Sequence, residues 1–340
     1  MLRCILFIII FVHVRPLKGQ TLGGNAVFNF LKQPNTATLS ASGGINVSII
    51  NTDVGIAFHN PALLRPMHHA QVNASINLLP GAIKNYSLTN AYRVEKYNSN
   101  VGFGISFFDY GNIPQTDAAG NELGSFKPND YVIQVMASTQ HKEYWHAGAT
   151  AKFIHSSYGM YKSSGLAMDV GVTYFDSLKG LQASVVVKNA GFQIKSYNQS
   201  LPKEELPFDL QAGISKKLEK APLQFSLTAH NLHRFNIYYN DTSFLASEGE
   251  DSFRDKKFTI SKLLTHLVLS TQITIRDKIE VLAGYNFLRR KDLNVLNAAN
   301  GLNGFTIGAS LLLKDLQLRY STGFYQQNMF NQLSVNFGWK

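Results

Sequence analysis

One cysteine, Cys4, is all the chain contains. It lies within the first 19 residues, ahead of any site where a lipidated lipoprotein cysteine would stand. If that segment is removed, no disulfide, thiolate nucleophile or cysteine metal site remains. Beyond it there is no run of about 18 apolar residues, the length a transmembrane helix needs. Charged residues make up 16 % of the chain, against roughly 25 % in ordinary soluble domains. There is no H-E-x-x-H, no glycine loop of phosphate-cradling pattern and no recognisable catalytic triad. These absences remove helical membrane proteins, thiol enzymes and the common metalloproteases from consideration.

Aromatic residues reach 12 % and glycines number 26, yet the mean hydropathy is only −0.08. Apolar and polar residues must therefore be interleaved rather than blocked. The formal net charge is +10; Arg3, Arg15 and Lys18 fall in the first 19 residues, which leaves +7 on the remainder. Lys and Arg are scattered with no basic stripe, a poor match to nucleic-acid binding. The excess reads either as a solvated basic surface or as attraction to anionic lipid headgroups and lipopolysaccharide.

The N-terminus has the shape of a secretory signal peptide. Arg3 precedes an apolar run from Ile5 to Val12, and the small residue Gly19 stands before Gln20. Cleavage is expected near Gly19, although Leu17 and Lys18 make the site imperfect. The organisation expected is a signal peptide over 1–19, a hatch or plug over 20–70, and a barrel over 71–340, exported to the outer membrane of a Gram-negative bacterium.

From residue 71 the chain alternates. Val72, Ala74, Ile76 and Leu78 interleave with Asn73, Ser75 and Asn77; Phe305, Ile307, Ala309 and Leu311 interleave with Thr306, Gly308 and Ser310. Side chains switch faces at every residue of a strand, so each set shares one side. About fourteen such segments occur: 71–79, 86–95, 100–109, 130–139, 145–155, 165–175, 181–188, 208–216, 222–230, 266–275, 279–288, 303–313, 315–324 and 330–339. Each is around ten residues, the span of a tilted strand crossing a bilayer. Short links near 97–99, 141–144, 176–180, 217–221, 276–278 and 314 alternate with mostly longer ones, including 110–129, 189–207, 231–265 and 289–302. Outer-membrane barrels have this rhythm of periplasmic turns and outer loops. The fold expected is all-β: a transmembrane antiparallel barrel of about fourteen strands. The last strand then pairs with the first, leaving no open edge in lipid. Phe337 and Trp339 share its apolar face, with Trp339 placed for an interfacial aromatic girdle.

Residues 20–70 do not alternate cleanly. Gly43 and Gly44 suit a tight turn. Asn60 is placed to cap a short helix with Pro61 in its first turn. Phe28, Phe30, Ile49, Ile50 and Phe58 call for burial, which favours a plug inside the lumen over a disordered leader.

The paired Gly43–Gly44, then Asp53, then "AFHNPALL" at 57–64 resemble the N-terminal region of the long-chain fatty-acid transporter superfamily of outer-membrane proteins. Together with "TLGGNAVFNFLKQPNTATLSASGG", "KNAGFQIK" at 188–195 and the aromatic ending, the chain resembles the barrels of that superfamily found in the type IX secretion system. The resemblance covers essentially the whole chain after the signal. It implies a fourteen-stranded barrel with a luminal hatch, no enzymatic activity and no cofactor. It further implies that the surface protein PorZ is anchored here, in a complex with PorU and PorV that removes sorting signals from cargo and attaches the cargo to lipopolysaccharide. The superfamily's other role, transport of hydrophobic small molecules, is the alternative.

Several patterns compete for attention. Ser200-Leu201-Pro202-Lys203 matches S-x-x-K, and Ser196-Tyr197-Asn198 matches S-x-N, but Pro202 breaks the helix that chemistry needs and no Lys-Thr-Gly follows. His68-His69 and His230-x-x-His233 have no acidic partners at zinc-ligand spacing. Glu248, Glu250, Asp251 and Asp255 cluster in the longest connection; a calcium site is conceivable, but the EF-hand spacing is absent. Phe244, Leu245 and Phe253 in that acidic stretch are candidate partner contacts, because exposed apolar residues on a charged loop suggest an interface; the other reading is that they fold back onto the barrel mouth.

Overall fold

The computed structural model describes residues 26–200, 202–237, 259–293 and 300–339. The signal segment and the candidate contacts Phe244, Leu245 and Phe253 lie outside the described residues. Fourteen strands close into an antiparallel barrel: β1 (Gln71–Leu78), β2 (Lys84–Val94), β3 (Ser99–Asp109), β6 (Asn129–His141), β7 (Trp145–Tyr158), β8 (Tyr161–Asp176), β9 (Leu181–Lys195), β10 (Asp209–Lys217), β11 (Leu223–Ala229), β12 (Leu267–Ile275), β13 (Ile279–Asn286), β14 (Phe305–Leu312), β15 (Leu316–Tyr325) and β16 (Asn328–Gly338). A small hairpin, β4 (Ile113–Thr116) with β5 (Glu122–Phe126), rises from the connection between β3 and β6. Every strand pairs with its neighbour in sequence, and β16 returns to β1 from Gln71↔Gly338 to Leu78↔Asn331. Among the described residues no helix is long and apolar enough to cross a membrane.

The alternation read from the sequence sets the faces. On β14, Phe305 and Ile307 are exposed while Thr306 and Ser310 are buried. On β16, Leu333 and Phe337 are about half exposed, whereas Gln332, Ser334 and Asn336 are shut away from solvent. Most apolar residues of the wall thus face outward and most polar ones inward, the inverse of a soluble protein and the pattern of a barrel solvated by lipid, while Phe108, Val132, Ile154 and Leu282 are among the apolar residues turned inward. Aromatic clusters stand at both ends of the wall. Tyr144 and Trp145 flank Tyr174 at one end, where Phe337 also stacks on Trp339 at 6.5 Å; Tyr285 meets Phe287 and Phe305 at the other.

The connections at 95–98, 142–144, 177–180, 218–222, 276–278 and 313–315 lie at one end, here the turn end, together with the start of β1 and the finish of β16. The opposite, loop end carries 110–128, 196–208, 230–266 and 287–304. Three loop-end connections, 79–83, 159–160 and 326–327, are as short as the turns, so long and short do not alternate throughout. Left-handed backbone at Gly159 and Gln326 permits the two tightest.

A second correction concerns β9. It was expected to stop at Lys188, but it runs to Lys195 through a β-bulge. Lys188 and Asn189 are both buried, so the period of two slips by one residue there. Asn189 is left-handed, and its freed N–H donates to Asp169 Oδ1 at 2.7 Å instead of to the ladder. Lys152 closes the arrangement, its Nζ 2.6 Å from Asp169 Oδ2 and 3.0 Å from Asn189 Oδ1.

Candidate functional site: the filled lumen and its vestibule

Residues 26–70 occupy the interior of the barrel. They form short 3-10 turns (Asn29–Lys32, Val54–Phe58, Pro61–Leu63, Pro66–His68) and one helix, α1 (Ala37–Ala41). The segment enters at the loop end, where Ala26 bridges Glu205 and Val27 N donates to Glu205 O, and reaches the turn end at Ala70, whose carbonyl accepts from Trp339 N. Phe28, Phe30 and Phe58 are buried against Phe108, Val132 and Ile154 of the wall, as their apolar character requires; Ile50 is only half-buried.

Glycines set the fit. Gly43 and Gly44 have φ of 88° and 87°, which a side chain rarely tolerates. They turn the chain against β13 and β14, where a Cβ on Gly308 would stand 2.7 Å from that of Ala41. Asn60 Oδ1 accepts from Ala62 N at 3.0 Å, capping the turn that begins at Pro61, and its Nδ2 donates to Val47 O at 2.8 Å. This capped turn packs on Gly148 of β7 and Gly171 of β8; a Cβ at Gly148 would be 2.5 Å from the Pro61 carbonyl carbon.

Asp53 is the most heavily bonded of the residues singled out in the sequence. It is fully buried. Oδ1 accepts from Gly55 N, Asn73 Nδ2 and Asn336 Nδ2 at 2.8, 3.1 and 3.0 Å. Oδ2 accepts from the hydroxyls of Thr36 and Thr38 at 2.5 and 2.6 Å. Asn73 and Asn336 face each other across the β1–β16 ladder, so Asp53 ties the inner segment to the junction that closes the barrel. Hydrogen bonds to a charged acceptor in a dry interior are the strong kind, and five donors compensate the burial of the charge.

The same segment is bonded around the wall. Ala37 N donates to Ser334 Oγ at 2.8 Å, Thr306 Oγ1 to Ala41 O at 2.8 Å and Asn286 Nδ2 to Gly43 O at 3.0 Å. Gln134 reaches Phe58 O and Gln182 reaches Ser48 O and Ile49 O. Arg65 donates to Gln182 and lies over the Phe175 ring at 3.9 Å. Arg319, fully buried, pairs with Glu280 at 2.8 Å and donates to Thr52 Oγ1, while Asn51 Nδ2 donates to Glu280 and Gln272. These wall residues gave no signal beyond being the polar half of each strand, because their partners in the inner segment are 76 to 297 positions away.

Above the filled section the lumen widens into a vestibule of about 370 Å³ at the loop end. Lys32, Asp209, Arg234, Arg289, Asp292 and His230 are among the groups that line it. Lys188 Nζ meets His59 Nδ1 at 2.6 Å at its floor. Asp292 belongs to a helix, α3 (Phe287–Leu293), in a loop-end connection; a shorter helix, α2 (Ile260–Thr265), precedes β12. Asp292 is exposed at the vestibule rim, but the protein packed around it removes part of its hydration, and that raises its carboxyl to about 6 against the pull of Lys291 and Lys32.

The other histidine and serine patterns resolve into local structure. His68 Nδ1 accepts from Arg65 N, His69 Nδ1 from Arg93 N, and His233 packs edge-on against Phe208. Ser200 N donates to Asn198 Oδ1 in a turn, with no helix to align it with Lys203. No group of three or more His, Cys, Asp or Glu fit to hold a metal occurs among the described residues.

No family model matches the chain, and no curated protein matches it in sequence. Solved structures do. The CymD monoaromatic hydrocarbon channel superimposes with a TM-score of 0.52 at 13 % identity, covering 92 % of this chain and 99 % of that one. The TodX monoaromatic hydrocarbon channel, as its deltaS2 mutant, gives 0.51 at 10 % identity, with 91 % and 100 % covered. A Pseudomonas aeruginosa FadL homologue gives 0.51 at 8 % identity, with 90 % and 98 % covered. At such identities the likeness is one of fold alone: a closed antiparallel β-barrel like those of outer-membrane channels.

Proposed function

We propose that this protein is a non-enzymatic outer-membrane anchor of the type IX secretion system, similar to PorQ. Its loop end faces the cell surface and holds a partner there, PorZ on the resemblance, in a complex with PorU and PorV that attaches cargo to lipopolysaccharide. The orientation follows from the short turns, which in outer-membrane barrels are periplasmic. One observation carries the reading against transport. The lumen is filled by a segment bonded through polar groups to strands all round the wall, with Asp53 and the Arg319–Glu280 pair buried in that contact. An apolar solute crossing there would have to strip hydrogen bonds from buried charges and gain nothing in return.

The second reading is a channel for hydrophobic small molecules. It is favoured by the shared fold with CymD and TodX, both described as monoaromatic hydrocarbon channels, and by the vestibule above the plug. Co-purification from detergent-solubilised outer membranes separates the two. The anchor reading expects a stable surface protein to be recovered with the barrel in stoichiometric amount. A barrel recovered alone, which on reconstitution speeds entry of a hydrophobic solute into liposomes, would overturn it.

A further inference from the structure

A second cavity, of about 480 Å³, lies at the loop end beside the vestibule. Its walls are tyrosines from separate elements. Tyr110 follows β3, Tyr158 ends β7, Tyr161 begins β8 and Tyr197 stands in the 196–208 connection. The rings of Tyr110 and Tyr158 are 5.9 Å apart, and Tyr197 meets Tyr158 edge-on at 5.8 Å. Phe28 and Phe30 of the inner segment close the back.

Asp130, near the start of β6, forms the floor and is 3 % exposed. Its Oδ2 accepts from the Tyr110 hydroxyl at 2.5 Å and from the Tyr158 hydroxyl at 2.9 Å. Its Oδ1 makes no hydrogen bond of ordinary geometry among the described residues, and the buried Ser156 hydroxyl stands beside the carboxylate, close enough to favour its charge while leaving lone pairs of both oxygens open. A buried polar atom left unpaired is costly, so an open carboxylate oxygen facing a cavity marks a place for a donor. Glu204 also lines the cavity, and no Lys, Arg or His does so among the described residues, although the whole chain carries a net charge of +10.

We propose that this cavity receives a cationic side chain, an arginine or lysine of a partner polypeptide. Its N–H groups donate to Asp130 Oδ1 and Ser156 Oγ, and its charge rests against the tyrosine rings. A guanidinium or ammonium carries donors only, which matches a free carboxylate oxygen. Aromatic faces attract a cation through their quadrupole, more strongly where water is thinned out. A sugar ring would also stack on tyrosine, but it brings as many acceptors as donors, and this wall offers no positive group to meet them. The cavity opens on the face to which the anchor reading assigns the surface partner. Only the identity of the guest's owner rests on that reading.

The test uses the detergent-solubilised full chain and three probes: N-acetyl-arginine amide, its neutral isostere N-acetyl-citrulline amide, and methyl glucoside. Binding is followed by tyrosine fluorescence and by saturation-transfer NMR. The arginine probe is expected to bind about ten-fold more tightly than the citrulline probe, the scale of one charge against aromatic faces, and to weaken with salt. Asp130→Asn should abolish that preference. Tyr161→Ala, on the exposed rim, should weaken the arginine probe while heat-modifiable migration confirms an intact barrel. Equal binding of the two amides, binding of the glucoside instead, or no binding by a folded barrel would overturn the proposal. If Asp130→Asn loses the probe yet retains the surface partner in full, the cation site stands and its assignment to that partner falls.

Discussion

Asn336 of the last strand donates to Asp53 of the inner segment across 3.0 Å, joining positions 283 apart in the chain. Asn73 of the first strand donates to the same oxygen. One carboxylate therefore serves both strands of the closing ladder. Replacing it with alanine takes the acceptor from five donors in a dry interior, of which Asn73 Nδ2 keeps a second acceptor in Asn336 Oδ1. Asp53→Ala is expected to cost about 3 kcal/mol or more, since each orphaned buried donor is worth roughly 1–3 kcal/mol. Asp53→Asn should cost less, because an amide oxygen still accepts and the Thr36 and Thr38 hydroxyls can rotate to accept from the new amide. Urea unfolding of the refolded barrel in detergent measures both; an Asp53→Ala variant as stable as the parent would refute the role.

Neighbouring positions on β14 should fail for opposite reasons. Ile307 is 53 % exposed on the outer face. Ile307→Arg is expected to cost about 2–4 kcal/mol if it lies at the bilayer midplane. Gly308 points inward onto Ala41, so Gly308→Val should destabilise through overlap, with or without lipid. Comparing the two variants in bilayers and in detergent distinguishes them: only the Ile307→Arg loss should depend on the apolar solvent.

Deleting residues 331–340 should abolish assembly. β1 loses its partner along the whole ladder, and so does most of β15. Unpaired backbone groups in hydrocarbon cost several kcal/mol each. Normal heat-modifiable migration of the truncated chain would be incompatible with this.

Acidity should tighten the loop-end helix α3. Asp292 titrates near 6, above its ordinary value, because its charged form is poorly solvated in the vestibule. A carboxyl with a raised folded pKa contributes stability that is full below the unfolded value and is lost as pH rises through the folded one. Amide exchange in Phe287–Leu293, corrected for intrinsic rates, should therefore be slower at pH 4 than at pH 7.5. Asp292→Asn should remove the difference.

The strands were legible because lipid and lumen impose opposite polarity on alternate residues, so segments such as 305–312 carry their own orientation. The asparagine cap at Asn60 and the turn at Gly43–Gly44 were legible because both are local backbone requirements. The bulge at Lys188–Asn189 was not, since a single inserted residue looks like the end of an alternating run; what sustains it, Asp169 and Lys152, lies on other strands. The brief turns at 159–160 and 326–327 were hidden because strand length beyond the bilayer leaves no polarity signal. Asp53 could be picked out, but its five donors could not, as they come from four separate places in the chain. The tyrosines around Asp130 had no local motif to betray them either.

The inner segment enters at one mouth of the barrel and leaves at the other: Ala26 is held at the loop end by Glu205, and Ala70 runs on into β1 at the turn end. Such a path rules out a swinging door. A flap hinged at one rim can tilt aside, whereas a strand of chain threaded end to end behaves like a bolt in a sleeve. Freeing the bore would mean drawing it lengthwise, breaking the ring of hydrogen bonds at many heights at once, with its trailing end still covalently joined to the sleeve.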